Sequence, residues 1–382
     1  MTTEPSVTYR RCTRCVMDTS DPAITFDEDD GRCSHCRGAE VRLTALPATE
    51  DEAAARLAAL AERIRRAAPD AEYQCLVGLS GGVDSSYVAL QAARLGLRTL
   101  AVHFDNGWNS EIAVSNIERL CTTLDFDLVT EVINWQEFRD LQRSFLLASV
   151  IDVELVTDHA IFATMLRLAR RHDIGFVLSG NNAATESILP TAWVWPKQDK
   201  RNIAAIHDRF GSVPLTTYPT CGVVRWGLAR YAGVGPRYVE VLNELCFRKD
   251  EAMAELEREV GWRYYGGKHY ESTFTRYYQA HILPTKFGVD KRLAHLSSLV
   301  VNGEVSREDA LAELEVPLYE PAELATDTAF VCKKLGFTED ELADILAAAP
   351  VPHDAYPSSA RTLRALQSVR AGARRRAHER QR

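Results

Sequence analysis

The stretch Cys75–Leu90, "CLVGLSGGVDSSYVAL", constrains this chain more than any other. An apolar run of strand character passes through two glycines straight into a helical pattern. Joins of that kind belong to parallel α/β sheets, where ligands sit beyond the carboxyl ends of the strands. The turn is too rich in glycine to be explained by packing. Its glycines allow close backbone approach, and amides opening a helix make a nest for an anion. Ser80, Ser85 and Ser86 add hydroxyl donors. The pattern has neither the G-x-x-x-x-G-K-[ST] of a Walker loop nor the G-x-G-x-x-G of a dinucleotide fold.

The surrounding sequence fits that frame. "QCLVGL", "RTLAVHF", "DLVTEVI" and "GFVLSG" read as strands. Helical patterns follow at 84–95, 110–124, 137–149 and 156–172, after an opening helix at 51–66. Apolar strands separated by amphipathic helices predict an α/β fold with a doubly wound parallel sheet. From Asn202 the pattern turns helical, with helices expected near 249–260, 270–281, 306–314 and 337–348. The expected division is a four-cysteine module over 1–45, an α/β domain carrying the glycine turn over 46–200, a mainly helical region over 201–350 and a basic tail over 351–382. No run of eighteen apolar residues occurs, which argues against a membrane span. The net charge of −8 conceals an asymmetry, because eight arginines and one glutamate follow from Arg361 onward. The body is therefore acidic, which argues against a broad nucleic-acid-binding face.

The six residues Ser80, Gly81, Gly82, Val83, Asp84 and Ser85 resemble the S-G-G-x-D-S signature of the PP-loop ATP pyrophosphatases. The resemblance implies cleavage of ATP between its α and β phosphates, with the loop holding pyrophosphate and AMP passing to a substrate oxygen. Two further loops, "HFDNGWN" after the second strand and "SGNNAATES" after the fourth, should open on the same crevice. By the same resemblance Asp105, Asn106, Gly180 and Asn181 fall on the nucleotide, and Asn182, Thr185 and Glu186 on the adenylation site. Helix capping is the alternative reading for these loop residues. Asp84 is a candidate to orient Mg²⁺, a hard cation suited to carboxylate oxygen.

Cys12-x₂-Cys15 and Cys33-x₂-Cys36, with seventeen residues between the pairs, have the spacing of a four-cysteine zinc knuckle. A closed set of four thiolates points to a structural ion. An iron–sulfur cluster and disulfides are the alternatives. His35 inside the second pair reads as solvated, and Cys221 in "YPTCGVVRWG" as an exposed thiol.

Taken together, "RCTRCVMDTSDPAITFDEDDGRCSHC", "SGGVDSS" and "VHFDNGWNSEIAVSNIERL" resemble the N-acetyl sugar amidotransferases of surface-polysaccharide pathways. The later block from "YYGGKHYES" through "TKFGVDKRLAHLSSLVVNGEVSREDAL" resembles the same family. The resemblance covers roughly residues 9 to 318 and leaves out the basic tail. It implies conversion of an acetamido group on a sugar or nucleotide sugar to an acetamidino group, with ATP, Mg²⁺ and structural Zn²⁺ as cofactors. Lys268, Lys286, Lys291 and Arg292 are candidate cationic clamps, Lys268 and Lys286 being placed with Asp84 in the catalytic set. His269 and Glu271 are candidate acid–base or substrate groups. A surface position is the alternative for each cation. With no glutaminase segment in view, ammonia is expected from a separate glutaminase subunit, and the location is expected to be cytoplasmic. The rivals are a tRNA thiolase, an amide- or amidine-forming enzyme of secondary metabolism acting on a non-sugar acceptor, and a non-catalytic nucleotide sensor.

Overall fold

The central strand β1 (Cys75–Leu79) explains the continuous apolar run, since it is buried on both faces of a five-stranded sheet. The structure is a computed structural model that describes residues 8–223, 226–227, 235–266 and 271–365. Two helices, α1 (Ser34–Leu43) and α2 (Glu50–Ala67), precede β1. The side chain of Thr49 caps α2, and three acids occupy its first turn, where the helix dipole favours them. Then come α3 (Val83–Arg94), β2 (Thr99–Asp105), α4 (Glu111–Leu124), β3 (Asp127–Val132), α5 (Trp135–Leu147), α6 (Leu155–Arg171), β4 (Phe176–Ser179), the short α7 (Ala183–Glu186), α8 (Lys200–Phe210) and β5 (Arg237–Glu240).

The strand order is β3-β2-β1-β4-β5 and every pairing is parallel. In register, Val77 lies beside Ala101 on one side and Leu178 on the other. The chain therefore builds outward from β1 to β3, then crosses back to lay β4 on the opposite side of β1. That reversal is a topological switch point, and the loops after β1 and β4 face each other across it.

The remaining helices are α9 (Lys249–Val260), α10 (Thr273–Tyr277), α11 (Arg292–Asn302), α12 (Arg307–Glu315), α13 (Pro321–Leu335) and α14 (Glu339–Ala347). α10 continues to Phe287 in wider π-type turns that contain Pro284, a residue with no N–H for the regular ladder. Within the mainly helical region after Asn202, β5 is a four-residue edge strand that the sequence reading did not include. Helices α8, α11 and α13 add to those expected. The described part of the basic tail ends at Ala365, and the arginines from Arg370 onward lie outside the described residues. Among the described residues no helix is long and apolar enough to cross a membrane.

Candidate active site

Beyond the end of β1 the chain turns through Ser80, Gly81 and Gly82 into α3. Gly81 has φ +81°, and a Cβ there would meet the Ala113 carbonyl oxygen at 2.5 Å. Only glycine lets α4 pack this closely on the turn. The Gly81 carbonyl accepts from Trp262 Nε1 at 3.0 Å and from Asn116 Nδ2 at 3.4 Å, which fixes the turn from behind. In front, Gly82 N–H donates to Ser80 Oγ at 3.2 Å, and the Ser80 and Ser85 hydroxyls are also 3.2 Å apart. Gly82 has no side chain to cap α3, so the positive end of that helix faces outward. Gly180, after β4, packs against it so closely that a Cβ would lie 3.1 Å from Asp84 and Ser85.

A chamber of ≈ 70 Å³ sits at this helix end, lined by Ser80, Gly82, Val83, Asp84, Ser85, Thr185, Glu186, Lys249, Tyr265, Glu271 and His295. It adjoins a crevice of ≈ 2020 Å³ whose walls include Asn106, Asn181, Asn182, Glu154, Asp158, Lys197 and Lys291. Three carboxylates with the chamber's hydroxyls make a hard-oxygen set of the kind Mg²⁺ takes. Ser86, the next residue of α3, is fully buried away from the chamber lining.

The two side loops are held differently. Asp105 Oδ1 accepts from Gly107 N–H at 2.8 Å and Asn109 Nδ2 at 3.1 Å, committing Asp105 to the turn. Asn106 lines the crevice while its Oδ1 accepts from Trp108 N–H at 3.1 Å. Neither caps a helix, because Ser110 caps α4. Lys334 from α13 holds this loop, donating to the Gly107 carbonyl with its Nζ 4.5 Å above the Trp108 ring. In the loop after β4, Asn182 does cap α7, accepting from Thr185 N–H at 2.8 Å and Thr185 Oγ1 at 3.1 Å. Glu186, one residue further on, lines the chamber.

The basic block divides, and only Lys286 is corrected. Lys286 is outside the crevice lining, and its Nζ donates to the carbonyls of Ile345 and Ala348 at 2.5 and 2.6 Å, at the end of α14. Arg292 grips Asp290 and the carbonyls of Glu313, Leu314 and Val316 at the end of α12, which occupies its whole guanidinium. Lys291 and Arg292 both line the crevice, Lys291 lying 3.7 Å from Glu154. Lys268 and His269 lie outside the described residues. Cys221 is 2% exposed, so the expectation of an accessible thiol is corrected as well.

Sequence reasoning missed Lys249, Tyr265 and His295. His295 reaches the chamber by donating from Nδ1 to the Thr185 carbonyl at 3.2 Å, across 110 residues. No local pattern announces it. Tyr265 is the second tyrosine of the "YYGG" block, the one signal that was available.

The four cysteines converge near the opposite side of α11. Their ligand atoms all lie within 4.8 Å of one another and are buried. Sγ–Sγ distances of 3.7 Å for Cys12–Cys36, Cys15–Cys33 and Cys33–Cys36 are too long for disulfides. They match the edge of about 3.8 Å that four metal–sulfur bonds of about 2.3 Å would give. The set therefore fits a zinc ion. Backbone N–H groups of Arg14, Cys15 and Cys33 point at Cys12 Sγ, as a thiolate requires. His35 turns away to Asp21, 2.6 Å distant. Arg307 of α12 donates to the carbonyls of Cys12 and Cys15, which fastens the module to the C-terminal helices.

Residues 57–185, from within α2 to α7, match the asparagine synthase family. Residues 271–370 match a different family, the C-terminal domain of WbpG-like LPS biosynthesis proteins. The two matches together support an LPS-type PP-loop amidotransferase family. The asparagine synthase match spans the glycine turn and indicates an ATP-dependent enzyme of the amide-forming ligase class. Membership in such an amidotransferase family implies an ammonia source and a sugar substrate. No curated protein matches the chain. Among solved structures, NMN synthetase from Francisella tularensis shares 14% identity over 72% of this chain and 100% of that one, with a TM-score of 0.35. The NH3-dependent NAD synthetase from Campylobacter jejuni subsp. jejuni, in complex with the nitrate ion, shares 16% over 55% of this chain and 93% of its own, with a TM-score of 0.30.

Proposed function

We propose that this PP-loop amidotransferase is the synthase component of a two-protein system that converts an N-acetyl group on a sugar or nucleotide sugar to an acetamidino group. The observation that carries the reading is the coincidence, at one switch point, of the PP-loop chamber with Glu271 from the WbpG-like C-terminal region. Ser80, Gly81, Gly82, Val83 and Ser85 would hold the pyrophosphate portion of ATP. Asp84, with Glu186 and Glu271 beside it, would hold Mg²⁺, which supplies charge neutralisation on the phosphates when bound. Asn106, Gly180 and Asn181 would flank the nucleotide.

An amide carbonyl is a poor electrophile because its nitrogen donates into it. Its oxygen attacks the α-phosphorus, the bond from that phosphorus to the bridging oxygen breaks, and pyrophosphate departs with the electron pair. Ammonia then adds to the imidate carbon and the carbon–oxygen bond to AMP breaks, leaving a protonated amidine. The protein's part in the first step is electrostatic. A helix end and fixed hydroxyls wait where charge accumulates. Lys291 and Lys197 would meet the acceptor in the outer crevice, and a separate glutaminase would deliver the ammonia. Zinc on Cys12, Cys15, Cys33 and Cys36 would be structural. Among the described residues no cysteine lines the crevice, which weighs against sulfur transfer to tRNA.

The test incubates purified protein with ATP, Mg²⁺, ammonium and a panel of N-acetylated sugars and nucleotide sugars. AMP and pyrophosphate are expected with a product lighter by the difference between O and NH, from a chain that carries one zinc. AMP without a modified sugar, across the panel, overturns the sugar acceptor but leaves adenylation standing. No AMP, even with a glutaminase and glutamine added, overturns the whole reading.

A further inference from the structure

The segment that leaves α9 is clamped to the back of the PP-loop. Gly261 ends the helix with φ 65°, and Trp262 turns inward to donate to the Gly81 carbonyl. Asn116, 1% exposed, joins the two pieces, accepting from Arg263 N–H at 2.9 Å and donating to the Arg263 carbonyl at 2.8 Å. This places Tyr265 over the mouth of the loop. Its ring stands edge-on to Trp262 at 5.6 Å, and a Cβ on Gly82 would lie 3.2 Å from its hydroxyl oxygen. Tyr265 and Val83, the first residue of α3, belong to the same chamber lining. A phenol hydroxyl at that place has one proton to donate to a ligand of the chamber.

We infer that Tyr265 is a pyrophosphate-binding catalytic residue, whose hydroxyl donates a hydrogen bond to the departing pyrophosphate. The inference rests on the reading of the loop as the pyrophosphate site. The step moves no proton. As the bond between the α-phosphorus and the bridging oxygen breaks, negative charge grows on the β-phosphate, and the phenol donor meets it alongside Ser80 and Ser85. The ring position is set by Trp262 and the strap rather than by the hydroxyl, so removing the hydroxyl tests the bond alone.

The experiment is calorimetric titration of the full chain with magnesium pyrophosphate, and separately with AMP, for wild type and Tyr265→Phe. A hydrogen bond to a charged group predicts about a 10- to 100-fold loss of pyrophosphate affinity in the variant. AMP affinity should stay within about twofold, and kcat for AMP formation should fall with the pyrophosphate affinity. Equal pyrophosphate affinity in both proteins overturns the inference while leaving the loop reading intact. Parallel loss of AMP and pyrophosphate binding also overturns it, because the residue then only shapes the pocket. A wild type that binds no pyrophosphate overturns the loop reading, and this inference with it. Should the phenylalanine variant not fold, difluorotyrosine at 265 keeps the shape and makes the phenol more acidic. Pyrophosphate binding should then weaken as pH rises through the lowered phenol pKa, and a pH-independent affinity would overturn the assignment.

Discussion

The glycine turn at 80–85 and the basic block at 286–292 both read as anion sites in the sequence, yet the fold uses them in opposite ways. The turn presents its groups outward into a chamber. The block commits two of its three cations to the fold, Lys286 to the last carbonyls of α14 and Arg292 to those of α12, and leaves Lys291 to the crevice. A lysine or arginine near a helix end serves equally as an anion clamp or as a partner for orphan carbonyls, and sequence alone does not choose. A glycine with positive φ between a buried strand and a helix has fewer uses. Motifs carried by the backbone are therefore more legible than motifs carried by long cations.

The largest effect that would break this contrast is on the loop. Gly81→Ala puts a methyl group 2.5 Å from the Ala113 oxygen in a left-handed backbone conformation. Strain of roughly 1–3 kcal/mol at such a position, plus the clash, must be relieved by moving the turn away from α4. AMP formation should fall by more than about 100-fold, since misplaced charge stabilisation alone reaches that size. Activity within tenfold of wild type would mean that the turn is scaffold rather than site. A smaller and different effect is expected at Lys286→Met. It strips two carbonyls of their donor and should cost about 1–3 kcal/mol of stability, read as a lower melting temperature. The KM for ATP should stay within about twofold of wild type, because no polar atom of Lys286 faces the crevice. A reversed pattern, with normal melting and a raised KM, would return Lys286 to the site.

The same distinction sets what the sequence could say about the rest of the molecule. Strands β1, β2 and β4 were readable as apolar runs, because burial on both faces removes polar alternation. β3 was readable as well, although it lies exposed at the sheet edge. β5, four residues long with an arginine and a glutamate at its ends, carries too little pattern to declare itself. The cysteine cluster was legible by spacing, since two pairs in tight turns have few ways to close. The chamber was half legible. Its loop residues are contiguous, whereas Tyr265, Lys249 and His295 arrive through long-range contacts such as Trp262 on Gly81, 181 residues apart. Such partners are set by tertiary packing and leave no periodic trace. Asn182 shows that one residue can satisfy two readings, capping α7 while lining the crevice.

The smallest expected effect extends the contrast to acids. Glu137 and Asp140, on successive turns of α5, are committed inward like Lys286 and Arg292, but to donors rather than acceptors. Glu137 accepts from Thr216 Oγ1, from both Thr217 donors and from Tyr218 N–H. Asp140 accepts from both Ser212 donors, Val213 N–H and His207. Burial acts to raise both carboxyl pKa values, and these hydrogen bonds outweigh it, holding both below the usual carboxylate range. A carboxylate whose folded pKa is depressed contributes stability that is present above its unfolded pKa of about 4 and is lost as pH falls through the folded value. Melting temperature should therefore drop on acidification below about pH 4, as both anchors of the 212–218 segment gain protons. Glu137→Gln should melt lower at neutral pH, by a degree or two for a loss of about 1 kcal/mol in a chain this long, and should show a shallower acid slope than wild type. An unchanged slope would mean that these two carboxylates do not hold the segment, and that inward commitment of charge in this fold is confined to the cations.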